Sequence, residues 1–269
     1  LAGEGALVGT RMSDNESLIS AAGMGIVVID GVIESIQESS DLEEEYGSEA
    51  KHSDELRVVS LDGHAVIPGL VDGHNHLIWA GDRSNELTLK QQGMSYQEIA
   101  AMGGGIQHTV HQTEQASDEQ LLQLGYQRMR SALLHGTTHM ETKSGYGLST
   151  TSELTLLRVA QQLSQMSHLP SMELTWLGAH DTPKGMTRTA YVEEILSEQL
   201  PSVIEQGYAQ AADVFCEPGW FTPDETEEIL VAAQNGGLTQ RMHIDEFTNG
   251  GGGELAADLK VVTADHSHY

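Results

Sequence analysis

From residue 66 onward, short apolar runs alternate with stretches in which apolar residues recur at helical spacing. The runs Val66–Val71, Thr137–Thr142, Glu173–Leu177, Ala212–Cys216, Arg241–Ile244 and Lys260–Ala264 predict strands. Helix starts between them are marked. Ser95…Glu98, Ser117…Gln120, Thr150…Glu153 and Thr222…Glu225 fit the capping box, and Pro223 takes the first helical position, where no amide donor is needed. The segment after Ser117 places Leu121, Leu122, Leu124, Met129, Ala132 and Leu133 for burial, with Gly136 to stop it. Strands alternating with amphipathic helices predict an α/β barrel or doubly wound sheet with parallel strands.

Residues 1–65 read as β-like and irregular. Gly25–Ile33 predicts two short strands about an Asp30-Gly31 turn, a strong hairpin signal. An acidic, Ser-rich loop is expected at 38–54, and a strand at Arg57–Leu61 leads through Asp62-Gly63 into the next apolar run.

Charge narrows the functions available. The 269 residues include 40 Asp or Glu against 13 Lys or Arg, a net −27, which argues against nucleic acid and anionic membranes as partners. No apolar run approaches the ~20 residues of a membrane span, and no secretion signal is visible, so a soluble, cytoplasmic protein is expected. The triplet Asn15-Glu16-Ser17 then reads as accidental. A lone cysteine, Cys216, excludes a disulfide framework and any CxxC motif, and reads as a small buried strand residue rather than a nucleophile. The glycine runs at 103–105 and 250–253 match neither GxGxxG nor a P-loop, and no GxSxG elbow is present. The acidity suits either a basic partner or a high-salt solvent. Scattered charges and a scarcity of lysine favour the second.

The 13 histidines carry the chemistry. His52, His64, His108, His111, His135 and His168 fall in loops or helices and read as solvated, and His139 reads as a core residue within its strand. By contrast, His74, His76, His180, His243 and His266 fall at or just past the C-terminal ends of predicted strands. In a parallel barrel those ends converge on the face that carries the active site. In His74-Asn75-His76 the two imidazoles lie two residues apart in extended chain, so both can reach one metal ion; a chance polar pair is the competing account.

The segment Val66-Ile67-Pro68-Gly69-Leu70-Val71-Asp72-Gly73-His74-Asn75-His76 resembles the first barrel strand of the amidohydrolase superfamily. Within it the chain resembles the imidazolonepropionase family. The supporting motifs are Gly81–Glu86, Gly103–Ile106, Glu141-Thr142-Lys143-Ser144-Gly145-Tyr146-Gly147-Leu148, Leu177–His180, Asp213–Glu217, His243–Thr248, Gly251–Ala257 and Ala264–His266.

The resemblance implies a TIM-like (β/α)8 barrel over 66–269 and part of a small composite β-sandwich over 1–65. It implies hydrolysis of the cyclic amide of 4-imidazolone-5-propanoate to N-formimidoyl-L-glutamate by a metal-activated water, in histidine degradation. The ligands it implies are His74, His76 and His243, holding zinc or iron. Glu246 would move the proton, and His266 would orient or polarise the reacting group. Arg83, Tyr146, His180 and Glu246 would contact the substrate, and a homodimer is common in the family.

The chain departs from the family pattern at Gly73 and Asn75, where the family more often has Cys and Thr and neither is a ligand, and more heavily in its length and ligand set. Residues 67–269 number 203 against ~250 for such a barrel, and the family's last-strand aspartate ligand has no counterpart. A partial representation of a longer chain is therefore expected. Two other readings stay open: a deaminase or deiminase of the same superfamily, and a catalytically inactive scaffold.

Raising KCl from 0.1 to 2 M shortens the Debye length severalfold, to below about 3 Å, and should raise the melting temperature by relieving self-repulsion. A melting temperature that falls or stays level would remove the high-salt reading.

Overall fold

The computed structural model describes residues 23–48 and 55–269 and divides the chain into two units, Leu1–Pro68 and Gly69–Tyr269. Asn15-Glu16-Ser17 and His52 lie outside the described residues.

In the first unit β1 (Met24–Ile29) and β2 (Val32–Glu38) form the expected antiparallel hairpin, with Ile29 opposite Val32. Asp30 and Gly31 both have positive φ, 50° and 79°, which matches the twist of the flanking strands. Two expectations fail here. The loop expected at 38–54 contains helix α1 (Ser39–Tyr46), and Leu42 of that helix packs over Gly25, where a Cβ would leave no room. A single leucine among carboxylates is too weak a periodic signal to announce a helix. Arg57–Leu61 forms no strand, because no neighbouring segment pairs with its backbone among the described residues.

The second unit is a six-stranded parallel sheet in sequence order: β3 (Leu70–Asn75), β4 (Thr137–Lys143), β5 (Ser171–Ala179), β6 (Ala211–Cys216), β7 (Thr239–Ile244) and β8 (Thr263–His266). After β3 come α2 (Ser84–Gln91), α3 (Tyr96–Ala101), α4 (Gly105–Glu114) and α5 (Asp118–Leu134). After β4 comes α6 (Thr150–Ser164), and after β5 come α7 (Arg188–Glu194), a π-helical stretch Ile195–Gln199 and α8 (Leu200–Gln206). Helices α9 (Pro223–Asn235) and α10 (Gly252–Leu259) complete the repeating strand–helix pattern. The sheet curves until side chains of its two edge strands meet: His74 of β3 lies 2.8 Å from Asp265 of β8. This is the α/β barrel architecture that the alternation predicts.

All six residues of β6 are buried, as a parallel strand covered on both faces requires. The edge strands are more open, and Val71 on β3 is 67% exposed. The first strand starts at Leu70 rather than Val66, which draws His74 into the strand, and the last starts at Thr263, because Lys260 is the left-handed cap of α10.

Ser95–Glu98, Ser117–Gln120 and Thr222–Glu225 form complete capping boxes, and Gly136 stops α5 with φ 99°. The fourth box is absent. Ser149 caps α6, and Glu153 turns its carboxylate elsewhere. Cys216 is buried. His139 is only half-buried and bonds Ser171 Oγ across β4 and β5 at 2.8 Å, so it is a satisfied strand residue without being a core one. No helix among the described residues is long and apolar enough to cross a membrane.

The layer between α5, α6 and the sheet is filled by Leu163, which is wholly buried against the Cβ-free surface of Gly125. Leu163→Ala should cost about 2–5 kcal/mol, read as a lowered urea midpoint with an unchanged slope.

Candidate active site

The C-terminal ends of the six strands bring together every histidine expected there. His74 is the penultimate residue of β3 and His76 follows the strand; His180 follows β5; His243 lies near the end of β7; His266 closes β8. Nitrogen atoms of His74, His243 and His266 all lie within 4.8 Å of one another. The ring of His74 is 4.6 Å from that of His243 and 5.1 Å from that of His266. His76 stands slightly apart, stacked on His180 at 4.9 Å and 18°, with its ring 5.7 Å from His74 and 5.6 Å from His243. The tightest trio therefore contains His266, where the resemblance implies His76.

The cluster could hold a metal ion. His243 Nε2 and His76 Nδ1 are buried with no hydrogen-bond partner among the described residues, a costly arrangement for lone pairs that receive nothing. Burial, then the neighbouring imidazoles, depresses His76 well below the usual histidine value and His266 to about 4. His180 falls to about 3 for the same reasons. Neutral imidazoles are what a divalent cation binds.

Carboxylates behind the cluster set the ring orientations. Asp213 Oδ1 accepts from both the backbone and the ring Nδ1 of His243, at 3.1 and 3.0 Å. Burial would raise the Asp213 carboxyl, but the charges of His243 and Lys143 and their hydrogen bonds outweigh it and hold it well below the carboxylate range. Asp265 Oδ2 sits 2.8 Å from His74 Nδ1.

The remaining predicted residues line the same rim. Glu246 lies 3.7 Å from His266 Nε2, and burial raises its carboxyl. Tyr146 packs its ring against His76 and His180, at 5.4 and 5.2 Å. Arg83 is held 3.8 Å from Glu86, while its Nη1 is buried without a partner among the described residues. Phe215, Trp220, Phe247 and Tyr96 form an aromatic wall that reaches His243 and His180 through Phe215. Of the histidines expected to be solvated, His64, His111, His135 and His168 are exposed and His108 is half-buried.

Sequence reasoning gave no part in the site to the side chains that hold this rim, and read Glu153 only as a helix cap. Glu153, wholly buried, accepts from the amides of Gly145, Gly147 and Leu148, so it fixes the loop that presents Tyr146. Glu217 accepts from Glu246 N and from Thr248 N and Oγ1. Asp245, at φ 45°, accepts from Gly250, Gly252 and Gly253. Glu86 accepts from Gly105 at 2.8 Å. For Glu153 and Asp245 the available signal was an acidic residue a few positions from glycines, which in so acidic a chain does not stand out; Glu86 and Glu217 reach amides 19 to 31 positions away and leave no local signal. Glu153→Gln sets an amide NH2 against donors that need an acceptor. A destabilisation of about 2–3 kcal/mol is expected, measured by urea unfolding; a loss under about 0.5 kcal/mol would mean the loop is held otherwise.

No protein-family model matches the chain. Over 260 residues, 97% of its length, it is 38% identical to an imidazolonepropionase from Haloarcula marismortui, of which it spans 61%. Over 209 residues, 77% of its length, it is 44% identical to an imidazolonepropionase from Shewanella sediminis, of which it spans 51%. In fold it resembles the 5-methylcytosine deaminase of Klebsiella pneumoniae solved with phosphonocytosine. The TM-score is 0.59 over 88% of this chain and 52% of that one, at 15% identity. The chain spans between half and about three fifths of the length of these curated relatives. Over the segment it spans, the chain is similar in sequence to the imidazolonepropionases and in fold to the deaminase, its six strands forming a parallel α/β barrel.

Proposed function

We propose that the protein hydrolyses the cyclic amide bond of 4-imidazolone-5-propanoate to N-formimidoyl-L-glutamate. The observation that carries this reading is the convergence of His74, His243 and His266 within 4.8 Å, with Glu246 beside them and Arg83 at the rim. A metal held by His74 and His243, with His76 or His266, would supply Lewis acidity and lower the pKa of a ligated water. Zinc and iron both suit imidazole donors.

The chain's own residues account for the rest. Glu246 accepts a proton from the attacking water and returns it to the ring nitrogen as the C–N bond breaks. Its raised carboxyl suits that double duty, because the proton is neither lost to solvent nor held too weakly to deliver. Arg83 pairs with the propionate through Nη1, a buried guanidinium atom without a partner among the described residues. Tyr146 donates its phenolic hydrogen, since burial raises its pKa and keeps it protonated.

The role of His180 follows from its tautomer. Its Nδ1 lies 2.8 Å from the carbonyl oxygen of Gly145, which can only accept, so Nδ1 carries the proton. Nε2 is therefore an acceptor, matched to a ring N–H of the substrate rather than to its carboxylate. The aromatic wall ending at Phe215 suits a planar ring. The form proposed with this activity is a small-molecule enzyme of the cytoplasm working as a homodimer.

Loss of imidazolonepropionate absorbance with appearance of formimidoylglutamate in the metal-loaded protein is the expected result. Bound metal without product would overturn the assignment. Arg83→Gln should raise KM about 10–100-fold, the worth of one charge-assisted pair, with kcat less affected. Glu246→Gln should lower kcat about 10²–10⁴-fold.

A further inference from the structure

Lys143, at the end of β4, is the one lysine wholly buried among the described residues, with a side chain 0% exposed. Its ammonium faces three carboxylates: Asp213 Oδ2 at 2.7 Å, Glu141 Oε1 at 3.0 Å and Asp265 Oδ2 at 3.6 Å. Two of these hold imidazoles. Asp213 turns its other oxygen to His243 Nδ1 at 3.0 Å, and Asp265 Oδ2 is 2.8 Å from His74 Nδ1. A carboxylate can only accept, so His243 carries its proton on Nδ1 and leaves Nε2 a lone pair; the close Asp265 carboxylate assigns the same tautomer to His74, whose Nδ1 is not aligned for a hydrogen bond to it. The ring centroids of these two histidines are 4.6 Å apart.

We propose that Lys143 is the positioning residue of this site: one buried ammonium locks the carboxylates on β6 and β8, and through them sets the tautomer and orientation of His243 and His74 together. The substrate has no contact with it in this scheme. Without it, the buried Asp213 and Glu141 and the half-buried Asp265 lose the cation they share, an arrangement that drives such side chains to reorient. Metal ligands depend on partners of this kind for tautomer and aim. Lys143 serves two ligands on different strands, His74 on β3 and His243 on β7, so its loss should disturb both, whereas loss of one carboxylate should disturb one.

The inference rests on reading the imidazole cluster as a metal site, and its test needs no turnover. In metal-free protein labelled with 15N-histidine, ring-nitrogen shifts near neutral pH should show His74 and His243 protonated at Nδ1. Lys143→Met should convert both to mixed tautomers and weaken Zn²⁺ binding, read by chelator competition, about 10–100-fold. Asp213→Asn should move His243 alone. Lys143→Gln, which keeps a donor without the charge, should recover part of the affinity, and it decides the matter if the methionine variant does not fold.

Folded variants with wild-type tautomers and Zn²⁺ affinity would overturn the proposal. So would failure of both Lys143 variants to fold, which would leave Lys143 a folding residue only. Absence of Zn²⁺ binding by the wild type, with the tautomer changes intact, would instead sink the metal reading and leave the orienting role of Lys143 standing.

Discussion

Asp213 joins the two chemistries on which the site depends. One oxygen takes the backbone and ring N–H of His243, and the other takes the Lys143 ammonium. It sits on β6, the most completely buried strand, where no water could compensate a charge. An isolated carboxylate there would cost many kcal/mol. Its presence is tolerable only because a fixed cation and a fixed imidazole meet it at short range, and that requirement in turn pins β4, β6 and β7 in register. The imidazole cluster is arranged by the same contacts that make the buried charge affordable.

A second pattern organises the rim. Glu86, Glu153, Glu217 and Asp245 are buried carboxylates, and each accepts from backbone amides of an adjacent loop, three of them glycine-containing. With 40 acidic and 13 basic residues, the chain cannot supply a cation to every buried acid. Amide donors take that place. Glycines permit it: a Cβ on Gly147 would meet the amide nitrogen of Glu153 at 2.6 Å, and one on Gly252 would meet the Ile244 side chain at 2.7 Å. The motif Lys143–Leu148 is therefore a device with two ends. Its lysine faces the carboxylates inside the barrel, while its glycines wrap a glutamate so that Tyr146 turns toward His76 and His180.

Much of the barrel was legible because it rests on local rules. Parallel strands buried on both faces are short apolar runs, and three of the four capping boxes form as the spacing predicts. The exceptions have particular causes. Thr150…Glu153 has the spacing of a cap, but Glu153 gains more from three loop amides than from its own helix end. Helix α1 is held by Leu42 against a hairpin, a contact that hydropathy along the segment does not reveal. Arg57–Leu61 has strand composition without a neighbouring strand, and composition alone cannot pair a backbone.

What the sequence determined by itself was the set of reactive groups and the ends of strands on which they stand, because strand period and capping act over a few residues. His74, His76, His180, His243 and His266 could be placed at one barrel mouth from that alone. Only the tertiary structure decided how they are grouped and aimed. It set His76 against His180, brought His266 beside His74 and His243, and put Lys143 between Asp213 and Asp265. These choices depend on distances between residues up to about 190 positions apart, set by the curvature of the sheet. Tautomer and charge at a buried site are properties of such distances, and no single segment contains them.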